Sequence, residues 1–364
     1  MNRRFLIAAS AALALGTAFV GQAAAQAVDF KGKTITIVIP FAVGGGSDVW
    51  GRFNATLLQK HLPGQPAVVV KNQPGGGSIS GANLFAATAK PDGMTLLGTS
   101  GSTQFPYLLG EAHVKFDYKD WIPVLAAPTG GGAYLSSKLG VKSLKELDKL
   151  KGVKLHYASQ GLTSLDLVPL LGFRMLGLDV QHVTGFPGRG EGRLAFERGE
   201  MNIDYQTTSA YLRSSMPMVK SGQAVPLFSW GTLDKNGNLA RDPNFPELPH
   251  FEEAYEIAFG KKPSGIEWDV MRAFLIAGFP AQKLLVLPKG TPDNIVETYR
   301  AAVRAMLKDP EYLAKRDELI GEYDQITDKE GEALYKAATT ISPDARQWVR
   351  DYLSKNYDVK FTGQ

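Results

Sequence analysis

Hydrophobic positions occur in short runs that alternate with longer amphipathic segments, which is the pattern of strands followed by helices. The run 34–39 is rich in β-branched residues and predicts a buried strand, which Pro40 ends. After a glycine-rich loop, apolar residues recur at helical spacing over 49–57, with Ser47 or Asp48 as the expected helix cap. The chain therefore begins with a strand–loop–helix unit.

The same unit repeats along the chain. Strands are predicted at 68–70 and 94–98, and a helix is predicted at 79–89. Strands that alternate with helices imply parallel βαβ units. From about residue 122 a second set of units follows, with predicted strands at 154–158, 179–183 and 201–205, and a further strand is predicted at 284–287. The sequence thus predicts an α/β protein with two sets of βαβ units.

The first residues have the composition of a secretory leader. Arg3 and Arg4 precede an apolar stretch over 5–20, and small residues end it near Ala25 and Ala27. We expect export to the periplasm and cleavage near Ala25 or Ala27. The paired arginines leave both the general secretory and the twin-arginine route open.

Composition excludes several classes of function. The chain of 364 residues has a formal net charge of +4 and no cysteine, and its 5 histidines are scattered. Disulfides, thiolate nucleophiles and cysteine metal sites are excluded, and we expect neither a metal nor another cofactor. The small net charge also argues against nucleic acid as a partner.

Glycine, serine and threonine gather in loops that follow strands, at 41–48, 72–78, 100–103 and 159–164. In parallel α/β sheets, ligands bind outside the carboxyl ends of the strands, where backbone N–H groups at helix starts attract anions. Glycine permits close approach of the ligand to the backbone. Together these loops predict an uncharged polar cradle for a carboxylate or phosphate.

Spacing argues against nucleotide binding and common hydrolytic chemistry. The glycine loops match neither the phosphate-binding loop nor the dinucleotide fingerprint. Ser100 lies in a Gly98–Ser102 segment that lacks the final glycine of a hydrolase nucleophile elbow. We therefore expect no enzymatic activity.

Several ordered motifs resemble those of one transport family. The segment ITIVIPFAVGGGSD at 35–48 and the segment VKNQPGGGSI at 70–79 are similar to the first two motifs of the tripartite tricarboxylate transporter receptors, also called Bug proteins. The segments 90–98, 157–164 and 288–292 continue the resemblance in order. The loop 182–190 departs from the family pattern by one extra residue, and the proline-rich insertion at about 231–275 is longer than usual.

The resemblance implies a two-lobed type II periplasmic binding-protein fold, with crossing hinge strands and a ligand cleft between the lobes. It places residues 28–124 plus 281–364 in one lobe and 125–280 in the other. It also implies a monomer that binds a small organic carboxylate and passes it to membrane permease subunits. The loops 41–48 and 159–164 would then hold a ligand carboxylate.

The candidate ligand-binding residues all lie in loops at strand ends. Arg189, between two glycines, is expected either to fork two bonds to a carboxylate or to be solvated or paired with Glu191. The full set is Phe41, Gly45, Gly46, Ser47, Asp48, Gly76, Gly77, Ser100, Ser102, Ser159, Gln160, Thr163, Ser164, Arg189 and Gln206.

Two alternatives from other classes stay open at this point. A secreted α/β enzyme that acts on a carboxylate predicts turnover and a nucleophile–base pair in the cleft. A ligand-sensing partner of a histidine kinase would use the same binding module for signalling. The ligand itself is expected to be a dicarboxylate, a tricarboxylate or an aromatic acid.

Overall fold

The computed structural model describes residues 28–234 and 238–362. The predicted leader lies outside the described residues. In chain order, the elements up to residue 127 are β1 (Thr34–Ile39), α1 (Gly46–His61), β2 (Ala67–Asn72), α2 (Ile79–Thr88), β3 (Thr95–Ser100), α3 (Gly101–Leu109) and β4 (Ile122–Ala127).

The middle of the chain alternates shorter strands and helices. Its elements are β5 (Gly131–Ser136), β6 (Leu155–Ala158), α4 (Leu167–Met175), β7 (Val180–Val183), α5 (Arg189–Glu197), β8 (Ile203–Thr207), α6 (Thr208–Ala210), α7 (Met216–Lys220) and β9 (Ala224–Ser229).

The last third is mainly helical. Its elements are β10 (Thr232–Leu233), β11 (Leu239–Ala240), α8 (Phe251–Phe259), α9 (Ile266–Gly278), β12 (Lys283–Leu287), α10 (Asp293–Met306), α11 (Pro310–Leu319), α12 (Asp328–Ala338) and α13 (Pro343–Tyr357). The insertion predicted at 231–275 thus contains a small hairpin, α8 and most of α9.

A five-stranded sheet, in the order β2-β1-β3-β12-β4, forms the first lobe. Strand β1 pairs in parallel with β2 and β3, which confirms the predicted βαβ units. Ile35, Ile37 and Ile39 of β1 are buried, whereas Thr34 is exposed, so this strand alternates instead of being buried on both faces. Strand β12 enters antiparallel between β3 and β4.

Two smaller sheets form the second lobe. Strand β5 pairs antiparallel with β8 and β9, while β6 and β7 pair in parallel. The adjoining apolar cluster contains Leu155 and Ile203, and it also takes in Phe105 from α3 and Val349 from α13. Helices from segments assigned to the first lobe thus pack against the second-lobe core, and the exact division of the chain between the lobes stays a prediction.

Among the described residues, no helix combines the length and hydrophobicity needed to cross a bilayer.

Candidate functional site

A small cavity lies where the two lobes meet. Its volume is about 20 Å³, which is room for roughly one water molecule, so the lobes are in close contact. Residues of both lobes line it: Phe41, Gly45, Gly46, Ser47, Ser100, Ser102, Gln160, Leu165, Asp166, Arg189, Tyr205, Thr207, Gln282 and Lys283. Eight of the fifteen predicted site residues are in this set.

The loop before α1 presents a helix N-terminus to the cavity. Gly44 has a positive φ of 86°, and this turn places Gly45 at the cap position, so α1 begins at Gly46. Gly45 has no side chain to cap the helix, and the prediction of Ser47 or Asp48 as the cap is wrong. Asp48 instead accepts hydrogen bonds from the Gly44 N–H and from Asn72 Nδ2, both at 2.9 Å, and so holds the loop.

A second uncapped helix start faces the first from the opposite lobe. Helix α5 follows Gly188 at its cap position, again with no side-chain hydrogen bond. A methyl group placed on Gly45 would lie 3.7 Å from the backbone nitrogen of Gly190. The positive ends of two helix dipoles therefore point toward the same place, an arrangement that an anion between them stabilises.

Short contacts join the lobes around the cavity. Ser209 Oγ, just after β8, donates a hydrogen bond of 3.1 Å to the backbone carbonyl of Gly46. A methyl group on Gly77 would lie 2.8 Å from the backbone oxygen of Gln160. The segments 41–48 and 159–164, predicted to face each other, do lie across a shared crevice, since Phe41 and Gln160 line the same cavity.

Arg189 is buried, and both terminal nitrogens bond within the second lobe. Its Nη1 donates 2.6 Å to the Ala158 carbonyl and 3.3 Å to Asp166 Oδ1, and Nη2 donates to Asp204. The guanidinium also lies 4.7 Å from the ring centroid of Tyr157. The side chain is neither solvated nor paired with Glu191, so both of those expectations are wrong. A direct bond from Arg189 to a ligand stays a prediction.

Two further predicted residues support this buried ion network. Ser159 Oγ donates 3.0 Å to Asp166 Oδ2. Gln206 Nε2 donates 2.9 Å to the Arg189 carbonyl and 3.0 Å to Asp204 Oδ2. Burial raises the pKa of the Asp204 carboxyl, while the Arg189 charge acts in the opposite direction. Neither Ser159 nor Gln206 lines the cavity.

The remaining predicted residues lie beside the cavity in a groove of about 540 Å³. The glycine loop of the first lobe and the loop 159–164 form part of its walls. Gln160 lines both the groove and the cavity. The predicted residues Gly76, Gly77, Thr163 and Ser164 also line this groove.

Six cavity residues lie outside the predicted set: Leu165, Asp166, Tyr205, Thr207, Gln282 and Lys283. The two that belong to the first lobe are Gln282 and Lys283. Both are buried at the start of β12, where the prediction began the strand one residue later. Within the described chain, Gln282 Oε1 and Gln160 Nε2 have no hydrogen-bond partner. The alternation of residues along the strand could have indicated that Lys283 is buried, because it shares a strand face with Leu285 and Leu287.

A larger cavity of about 970 Å³ lies elsewhere on the molecule and is less suited to an acid. Its described lining residues include no lysine or arginine. Four of them are acidic: Glu322, Asp324, Asp328 and Glu330. Carboxylates in the wall repel an anionic ligand, so the small interlobe cavity is the better candidate site.

Two lobes joined by crossing strands, with helix N-termini converging on the cleft, define a solute-binding receptor. Residues 52–322 match the family described as "Tripartite tricarboxylate transporter family receptor". The chain belongs to this family.

Curated relatives match across most of their length. The "UPF0065 protein in gbd 5'region" of Cupriavidus necator is 29% identical over 331 residues, which are 87% of this chain and 89% of the relative. A UPF0065 protein of Bordetella pertussis is 28% identical over 296 residues, which are 79% of this chain and 81% of the relative.

Solved structures share the fold. The periplasmic binding protein BugD has a TM-score of 0.68 at 20% identity, covering 90% of this chain and 98% of its own. MatC from Rhodopseudomonas palustris with bound malate has a TM-score of 0.63 at 20% identity, covering 87% of this chain and 98% of its own. Rpa4515 of R. palustris with adipate has a TM-score of 0.67 at 20% identity, covering 90% of this chain and 98% of its own.

Proposed function

We propose that this receptor captures a small organic carboxylate in the periplasm and delivers it to the permease subunits of a tripartite tricarboxylate-type transporter. The leader would direct export and then be removed near Ala25 or Ala27. The receptor binds its solute without transforming it.

The observation that carries the proposal is the meeting of two uncapped helix N-termini from opposite lobes. The starts of α1 and α5 face each other at Gly45 and Gly190. Backbone N–H groups at helix starts bind anions, and the two dipoles add their fields at one point. A carboxylate there is stabilised by both lobes only when they are closed.

Closure is the step that ligand binding drives. A cavity of about 20 Å³ is too small for a C4 acid. The solute therefore enters while the lobes are apart, and the closed complex leaves more room between the lobes than this ligand-free form does. The ligand then shifts the equilibrium toward the closed form by its greater affinity for that form. We place the hinge at β4 and β12, which pair with each other at one side of the first sheet and are joined along the chain to β5 and α9.

We infer the ligand class from the same geometry together with the fold relatives. The cavity wall combines backbone N–H groups at helix starts and serine hydroxyls with the charged side chains of Asp166, Arg189 and Lys283, so the predicted uncharged cradle is wrong in this respect. Such a wall suits an acid group. Two proteins of the same fold hold malate and adipate. We propose a dicarboxylate, a tricarboxylate or an aromatic acid as the solute.

Isothermal titration and thermal shift against malate, the linear C4 to C9 dicarboxylates, citrate and benzoate test this function. We expect at least one acid to bind and to raise Tm by mass action. The corresponding diamide serves as the neutral control and should not bind. Chromatography after long incubation should recover the acid unchanged. Absence of binding across the whole panel would refute the proposal, and turnover would indicate an enzyme.

A further inference from the structure

Lys283 is a buried lysine in the wall of the interlobe cavity. It is the first residue of β12, where it pairs with Ser100 of β3 and Ala127 of β4, and it is 2% exposed. In the described part of the chain, its Nζ makes one hydrogen bond, a long one of 3.4 Å to Ser47 Oγ, and joins no salt bridge. Ser47 is the second residue of α1.

An ammonium group in this position is costly without an anionic partner. Lysines are almost never fully buried unless paired, because leaving water destabilises the charge. Burial accordingly lowers the pKa of the Lys283 ammonium to about 7. Lys289, near the other end of the same strand, shows the ordinary case: it is exposed and pairs with Asp120 at 2.8 Å.

The charged and titratable groups of the second lobe that line the cavity do not supply the missing anion. They are Asp166, Arg189 and Tyr205. Asp166 accepts hydrogen bonds from the Tyr157 hydroxyl at 2.8 Å and from the Gln160 N–H at 2.7 Å, besides its contact with Arg189. Its carboxylate is therefore already engaged within its own lobe.

Other buried polar groups beside Lys283 also lack partners. Gln282 Oε1 and Gln160 Nε2 approach the cavity from opposite lobes, and neither makes a hydrogen bond to any described residue. Buried polar groups are normally satisfied, so these two amides offer one acceptor and one donor that a bound molecule can use. A ligand with both an acid group and neighbouring polar atoms meets these requirements.

We propose that the ammonium of Lys283 forms an ion pair with the ligand carboxylate held at the N-terminus of α1. This inference rests on the proposed function and adds to it a charge-specific contact. It makes Lys283 a specificity-determining residue that selects an ionised acid over a neutral group of the same shape, such as an amide.

Binding should then be coupled to proton uptake. The ligand's negative charge raises the pKa of the Lys283 ammonium above its value in the free receptor. Above pH 7 the free receptor has lost this proton in part, and the complex regains it. Affinity for the acid therefore falls as pH rises from 7 to 9, by up to about 10-fold per pH unit for one coupled proton.

The test compares Lys283→Met with wild type, using the acid of the above panel that wild type binds most tightly. We expect Lys283→Met to weaken binding at least about 30-fold, because the substitution removes the cation of a buried charge pair. Lys289→Met, which removes an exposed lysine from the same strand region, should bind like wild type. Titration at pH 8 in buffers of different ionisation enthalpy should show proton uptake by wild type and none by Lys283→Met.

The outcomes separate the two proposals. Equal affinity of wild type and Lys283→Met would overturn this inference and leave the proposed function standing, whereas no binding by wild type would overturn both. Removal of an unpaired buried charge should keep or raise Tm, which shows that the variant is folded. Should the methionine variant not fold, proton uptake by wild type decides, and its absence would overturn the inference.

Discussion

Gly46 and Thr207 face each other across the cleft so closely that a Cβ at position 46 would overlap the Thr207 hydroxyl and lie 3.0 Å from Ser209 Oγ. Gly46 opens α1 in the first lobe, and Thr207 ends β8 in the second. With the lobes this close, only a residue without a side chain fits at position 46. Closure of the lobes therefore depends on a glycine at the helix start.

Gly46→Ala should block full closure. The open receptor tolerates the added methyl group, but closing it requires a clash of the kind that costs about 1–3 kcal/mol in a packed core. We expect affinity for the best acid to fall at least about 10-fold with little change in the Tm of the ligand-free protein. Gly331→Ala in α12, where a Cβ makes ordinary contacts of 3.5 Å or more, is the control. Wild-type affinity in Gly46→Ala would contradict the closure geometry.

Ser209→Ala should favour the open form. The change removes the interlobe hydrogen bond to the Gly46 carbonyl, and a typical hydrogen bond contributes about 0.5–1.5 kcal/mol. We expect a larger radius of gyration for the ligand-free variant in small-angle scattering, and about 2- to 10-fold weaker binding. Ser221→Ala removes a bond of 3.0 Å to the Met218 carbonyl within the second lobe, and should change neither quantity.

Arg189→Met should destabilise the second lobe. The substitution leaves the buried Asp166 and Asp204 without their shared cation, and breaking a buried ion pair from one side costs about 3–5 kcal/mol. Urea unfolding should show a correspondingly lower midpoint. Arg198→Met, which removes an exposed pair with Glu200, is the comparison and should leave the midpoint unchanged. A wild-type midpoint for Arg189→Met would show that the network contributes nothing.

Acid should destabilise the fold partly through His182. Burial of its two ring nitrogens lowers the pKa of this histidine to about 4, with the Arg189 charge adding to the effect and Asp166 opposing it. The unfolded chain takes up this proton near pH 6.5, so stability falls as pH decreases from 6.5 through 4.

The variant His182→Phe isolates this contribution. Between pH 8 and pH 5 it should lose about 2 kcal/mol less unfolding free energy than wild type, because only the wild-type unfolded state gains the proton. Urea unfolding at the two pH values measures the difference. The same loss in both proteins would rule out His182 as the titrating group.

Most of the first lobe was predictable from sequence because its signals are local. The alternation of strand and helix patterns, the glycine loops after strands and the family motifs depend on neighbours within about 15 residues. The same reasoning missed the reversed direction of β12, since pairing between β12 and β3 joins positions such as Lys283 and Ser100 that no local pattern connects.

The residues of the candidate site also fall into those that local sequence signals predict and those that depend on long-range packing. Gly45, Gly46 and Ser47 were found because a glycine loop at a helix start is a local anion-binding feature. Arg189 was identified as important, yet its environment could not be foreseen, because Asp166 and Asp204 approach it only after α5, β8 and the 159–166 segment pack together.

By itself, the sequence determined the α/β class, the family and the loops that carry an anion-binding backbone. Only the tertiary structure decided which side chains face the cleft: it turned Arg189 inward to a buried ion network and placed Lys283 beside Ser47. The physical reason is that periodicity records which residues are buried, whereas the partner of a buried charge is set by packing between segments more than 200 residues apart.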